Sequence, residues 1–207
     1  DAYAALDVPD PAAAPLVFVT HSIPTSMEEA SGAHAPAPYS VQHLQVAEVV
    51  ADRVGERTGW RPQWRLAYCS RSGNPATPWL EPDISDALTE LHEQGAPGAV
   101  VAPIGFISDH MEVIYDLDTE ARETADELGL PMERAATVGT HAAFVRGLVS
   151  LLLERAAVAR GEGARRETVG DLGRWHEVCP AECCLVRHGR PTGVPAACQQ
   201  APTPSPA

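Results

Sequence analysis

The stretch AVVAPIGFISDHMEVIYDLDTEARE (99–123) decides how the rest of the chain is read. Its first six residues, 99–104, form a short uninterrupted apolar run containing Val and Ile, the pattern of a strand buried on both faces. Immediately afterwards the composition inverts. Asp109, Glu112, Asp116, Asp118, Glu120 and Glu123 crowd into one segment with His110 among them, and the spacing predicts a helix to about Gly129. Gathering so many like charges is costly unless something positive visits, so the first question is what that visitor is.

Further strand patterns lie on either side. PLVFVT (15–20), WRLAYCS (64–70) and ERAATV (133–138) read as further strands. Between and after them lie helical patterns. In VQHLQVAEVVADRVGERTG (41–59), Val41, Leu44, Val46, Val49, Val50 and Val54 are expected to share one stripe. DISDALTELHEQG (83–95) opens on Asp83 as an N-cap and closes on Gly95, and HAAFVRGLVSLLLERAAVA (141–159) is strongly apolar. Strand and helix alternate, which predicts an α/β fold: a Rossmann-like parallel sheet flanked by helices.

The domain is expected to occupy 15–160. Residues 1–14 read as a Pro/Ala-rich lead-in, 161–178 as a linker, and 179–207 as a Cys-bearing tail whose Pro/Ala/Gln end reads as disordered. In such sheets function collects beyond the C-terminal ends of the strands. That rule points at HSIPTSM (21–27), SRSGNP (70–75) and GFISDHMEV (105–113). There is no GxGxxG and no P-loop, so a nucleotide site has no support.

Composition narrows the class of partner. The 207 residues include 15 basic and 28 acidic side chains, a net charge of −13, which argues against a nucleic-acid partner and suits cations. No apolar run approaches the ~20 residues needed to span a membrane. The start, DAYAALDVPDPAAAP (1–15), lacks both the features of a signal peptide and an initiator Met, and is expected to begin within a longer or processed protein. Five cysteines, an odd number without a secretory signal, favour a reducing compartment and a cytoplasmic location.

Three groups of residues can carry chemistry. His21 follows the first strand at the mouth of the sheet; it is a metal ligand or proton carrier there, or simply a histidine hydrogen-bonded at a strand end. Glu112, Asp116 and Glu120 recur at i, i+4 and i+8, which places them in a line along one helix face, either a solvated acidic face or a path for a cation or for protons. Cys179, Cys183 and Cys184 have CxxxCC spacing, suited to Zn²⁺ or an iron–sulfur cluster but one ligand short, with Cys198 as a further candidate. The alternative is that these are thiols of a floppy tail. Cys69, in the second strand, reads as a buried thiol.

The residues now on the page resemble a family. HSIP after a strand, then SRSGNPATPWLEPD (70–83), then PIGFISDHMEVIYDLDTEA (103–121) are similar to the C-terminal half of ferrochelatases, across roughly Leu16 to Leu153. The CxxxCC tail and the form HSIPTSM most resemble the actinobacterial branch, whose members insert Fe²⁺ into coproporphyrin III. The resemblance implies two similar Rossmann-like domains enclosing a porphyrin, of which this chain supplies one and an N-terminal domain the other.

It further implies roles residue by residue. His21 would bind incoming iron or accept a pyrrole proton, with Glu112 facing it across the macrocycle. Asp116 and Glu120 would form the metal or proton path, and Asp109 and His110 would organise the loop. Ser70, Arg71, Trp79 and Leu80 would be structural, although Asn74 departs from the family pattern after Gly73. Asp118 and Glu123 are left as solvated charge. Cys179, Cys183 and Cys184 would hold a [2Fe–2S] cluster, with the fourth ligand from the N-terminal half. Two other readings stay open: a cobalt or nickel chelatase of the same fold, and a non-catalytic metal- or haem-binding module.

Overall fold

The computed structural model describes residues 1–31 and 37–176. After a short helix α1 (Ala2–Ala5) and a 3₁₀ turn (Pro11–Ala13), the chain runs β1 (Leu16–His21), α2 (Thr25–Ala30), α3 (Tyr39–Thr58) and β2 (Trp64–Cys69). It continues through α4 (Ile84–Glu93), β3 (Ala99–Ala102), and a helical stretch of α5 (Met111–Val113), a π-helical segment (Ile114–Glu120) and α6 (Ala121–Leu128). β4 (Met132–Arg134) and α7 (Ala142–Ala159) follow.

The four strands form one parallel sheet in the order β2-β1-β3-β4. This is the expected α/β architecture. The chain leaves β1 to one side for β2 and then crosses to the other side for β3. The β1/β3 boundary is therefore the point where the winding reverses, the place where open α/β sheets bind ligands.

Alternation along the strands builds two core layers. Val17 and Val19 of β1, with Val101 of β3, face a layer made by Ile84, Leu88 and Leu91 of α4 and by Leu117, Ala121 and Ala125 of the π segment and α6. Leu16, Phe18 and Val100 face the opposite layer, built by α3 and the N-terminal segment. β1 is thus apolar at every position from Leu16 to Val19, because both of its faces are covered.

Four sequence expectations change. The buried stripe of α3 is Ala47 and Ala51, flanked by Val50 and Val54, whereas Val41, Leu44 and Val46 are exposed. The i, i+3, i+4, i+7 spacing and the small alanines let the helix lie close against the sheet. The lead-in at 1–14 belongs to the body: Leu6 and Ala14 are buried in the second layer, and Tyr3 packs edge-on against Trp60 and hydrogen-bonds to Ala14. The loop expected over 21–40 contains α2. The predicted acidic helix contains a π segment, which alters the face on which each carboxylate emerges.

Candidate functional site

His21 is the last residue of β1, and Glu112 lies in the first turn of the helical stretch that follows β3. The reversal of winding brings them together: His21 Nε2 stands 3.2 Å from Glu112 Oε1, with side chains 39% and 44% exposed. The pair is therefore open to solvent on one side. The other ring nitrogen of His21, Nδ1, faces the Ser22 carbonyl oxygen. A carbonyl only accepts, so Nδ1 carries the proton and Nε2 is the atom offered to Glu112. An imidazole lone pair and a carboxylate at this distance can share a proton or a cation.

The contact is closer than the expected placement of the two groups across a macrocycle. A flat macrocycle sandwiched between the two groups needs about 3.5 Å of clearance on each side, or about 7 Å in all. Here the two side chains touch, with no such space between them.

The expected carboxylate line also divides. Asp116 turns inward, 9% exposed, and accepts a hydrogen bond from Ser70 Oγ. Glu112 and Glu120 stay exposed. The π segment between them breaks the simple i, i+4, i+8 alignment. Ser70 adopts a left-handed backbone (φ 65°), uncommon for a residue other than glycine, as β2 ends. That turn aims its hydroxyl at Asp116. Cys69 beside it is buried, as expected, and burial pushes its thiol up to about 12.

The loops on the site are tied down by specific contacts. His110 caps α5, its Nδ1 accepting from the Val113 amide, and it packs edge-on against Phe106. Trp79 pairs with Pro24, the Leu80 amide donates to the Ile23 carbonyl, and Ser22 Oγ donates to the Leu80 carbonyl. The loop after β1 and the loop after β2 therefore knit together, which accords with structural roles for Trp79 and Leu80. Arg71 shapes its own loop by donating to the Pro75 and Thr77 carbonyls.

Arg134 was not among the residues singled out from the sequence. At the end of β4, and only 14% exposed, it donates to Asp118 through Nε (2.5 Å) and Nη2 (2.8 Å) and to Asp109 through Nη1 (2.8 Å). Asp118 is thus half of a forked ion pair, which replaces the expectation of solvated charge. The available signal was a lone arginine in a strand beside an excess of acids. Burial opposes the Asp109 charge, but the Thr137 amide and Arg134 outweigh it and hold the carboxyl below its ordinary value.

Replacing Arg134 with alanine is expected to lower unfolding free energy by about 2 kcal/mol, because charged hydrogen bonds to two carboxylates are lost together. A group whose folded pKa is lowered adds stability above its unfolded pKa of about 4, and that contribution disappears as pH falls. The difference between wild type and Arg134→Ala in urea titrations should therefore shrink from pH 6 to pH 3. A constant difference would leave the ion pair without a stabilising role.

Among the described residues, no three or more His, Cys, Asp or Glu side chains are grouped to hold a metal ion. Cys179, Cys183, Cys184 and Cys198 lie outside the described residues. No helix of the described residues is long and apolar enough to cross a membrane.

Comparison with known proteins agrees with this architecture. The ferrochelatase family profile matches residues 2–156. The chain is 50% identical over 184 residues to the coproporphyrin III ferrochelatase of Streptomyces griseus, covering 87% of this chain and 49% of that protein. It is 51% identical over 180 residues to the enzyme of the same name from Streptomyces coelicolor, covering 85% and 48%. It is also 41% identical over 182 residues to a ferrochelatase of Rhodopirellula baltica, covering 87% and 48%. The chain belongs to the ferrochelatase family. It spans about half the length of the curated relatives it matches.

Proposed function

We propose that this chain forms the metal-handling half of an enzyme that inserts Fe²⁺ into a porphyrin during haem synthesis, with coproporphyrin III as the favoured substrate and coproheme as the product. The observation that carries the reading is the contact between His21 Nε2 and Glu112 Oε1 at 3.2 Å, at the switch point of the sheet. Two ligand atoms at right angles, each about 2.1 Å from a metal ion, stand about 3 Å apart. A pair at this separation can take a cation while leaving its remaining positions free.

Insertion replaces two pyrrole N–H bonds with bonds to the metal, so two protons leave as one dication enters. Imidazole and carboxylate suit both needs: each accepts a proton, and each binds a borderline cation. Two ligands hold such an ion less tightly than a closed four-ligand site, which lets it pass to the macrocycle. Glu120 on the surface is a route outward for protons. Asp116, turned inward onto Ser70, orients this helix rather than carrying the traffic.

The other wall of the porphyrin site is assigned to a second domain, in keeping with relatives about twice as long. α7 supplies a surface for it. None of its residues is buried, and Val145, Leu148, Val149, Leu151, Leu152 and Leu153 are 45–71% exposed. A helix this apolar is normally covered.

Anaerobic incubation of the whole-length protein with Fe²⁺ and either coproporphyrin III or protoporphyrin IX tests the reading, followed by the absorbance change on metallation. Faster turnover of coproporphyrin III is expected. Insertion of Co²⁺ or Ni²⁺ into a reduced tetrapyrrole but no Fe²⁺ chelation would replace it, and tight porphyrin binding without turnover would leave only a binding module.

For the tail, we propose that Cys179, Cys183 and Cys184 supply three thiolates to a [2Fe–2S] cluster. The fourth ligand would come from Cys198 or from the second domain, since buried Cys69 keeps its proton. Protein purified without oxygen should be coloured and, once reduced, give an EPR signal that Cys183→Ser removes. Colourless protein lacking iron and sulfide after reconstitution would rule the cluster out.

A further inference from the structure

A second hydrogen-bonded group lies directly beneath His21. Thr20 is fully buried, and its hydroxyl stands 2.7 Å from Tyr39 Oη and 3.0 Å from His43 Nε2. Tyr39 Oη donates to the His21 carbonyl oxygen at 2.8 Å, and His43 Nδ1 donates to the Tyr39 carbonyl oxygen at 2.9 Å. The two rings stack at a tilt, 4.3 Å apart. Burial raises the Tyr39 hydroxyl above its ordinary value, so at neutral pH it remains the donor this arrangement requires.

The space for this group is built into the fold. A Cβ at Gly105, at the start of the loop after β3, would meet Thr20 Oγ1 at 1.9 Å and Thr20 Cα at 2.8 Å. Glycine there leaves the Thr20 hydroxyl its place. Tyr39, the first residue of α3, lies back at this strand end, and its amide is held by Ser31 Oγ at 2.9 Å. Tyr39 is thus a tie between the start of α3 and the strand end.

We infer that Tyr39 is a positioning residue for His21: its hydroxyl, seated against Thr20 and donating to the His21 carbonyl, fixes the strand end from which the imidazole reaches Glu112. This rests on the reading of His21 as the group that handles metal or protons. The fixed carbonyl sets the backbone from which the His21 side chain projects, and small displacements of reacting groups are costly in rate.

The test uses the whole-length protein with Tyr39→Phe, Thr20→Val and His21→Ala. Tyr39→Phe keeps the ring and removes only the hydroxyl; Thr20→Val keeps the shape and removes the partner hydroxyl. Both should lower kcat for Fe²⁺ insertion about 10-fold or more, with KM for the porphyrin within about twofold of wild type. Tm should stay within about 4 °C. A merely structural role would lower Tm and leave kcat per folded molecule unchanged, and that result overturns the inference. So does kcat within about twofold of wild type for both variants while His21→Ala is inactive. If His21→Ala itself retains full activity, the reading of the site fails first and the inference falls with it, a pattern distinguishable from the other two.

Discussion

Replacing His21 with alanine in the whole-length protein is expected to lower the rate of iron insertion by about 10²- to 10⁴-fold, the range typical for loss of a positioned acid–base group. Glu112→Gln should fall in the same range, because the amide keeps the size of the side chain but neither accepts a proton readily nor brings a charge to the cation. The two losses should not add. The groups meet at 3.2 Å and, in the proposed role, serve one transfer, so the double variant should be about as slow as the worse single variant. Porphyrin affinity should change little, since neither substitution removes much apolar surface. The decisive measurement is kcat at saturating Fe²⁺ and porphyrin. Full activity in both single variants would remove the catalytic assignment, whatever binding remained.

Leu117→Ala is expected to cost about 2–5 kcal/mol of unfolding free energy, a large share of the ~5–15 kcal/mol that holds a typical domain together. Leu117 is wholly buried in the layer that α4, the π segment and α6 build against the sheet. It lies beside Asp116 and three residues before Glu120, so the acids are carried outward on a segment anchored by its apolar side. Truncation leaves a cavity beneath that segment. Ile114→Ala, on the exposed side of the same segment, should cost less than about 1 kcal/mol. Urea denaturation of the three proteins checks the contrast. Similar midpoints for Leu117→Ala and Ile114→Ala would mean that the π segment does not pack as described.

Much of this molecule was legible in residue order. Val17, Val19, Val100 and Val101 announce strands covered on both faces, because a parallel sheet under two helical layers leaves few polar positions. Asp83 marks the start of α4 through a capping bond to the Ser85 amide at 2.9 Å, a local interaction that depends on residues two apart. His21 and Glu112 were legible as candidates because one stands at the end of a strand and the other in the first turn of the helix that follows a strand. What could not be read was which carboxylates face which way. A helix period of 3.6 aligns Glu112, Asp116 and Glu120, but the π segment changes that period locally. Whether Asp116 is solvated or buried depends on Ser70, which is 46 residues away.

The sequence by itself determined the strand–helix order, the parallel sheet and the short list of chemical groups, because these follow from local periodicity, capping and composition. Only the tertiary structure decided that His21 and Glu112 touch, that Arg134 pairs with both Asp109 and Asp118, and that Tyr39 and Thr20 meet at the strand end under His21. These contacts join residues from 16 to 91 positions apart. Their geometry is set by the winding reversal between β1 and β3 and by burial, neither of which leaves a periodic trace in the chain.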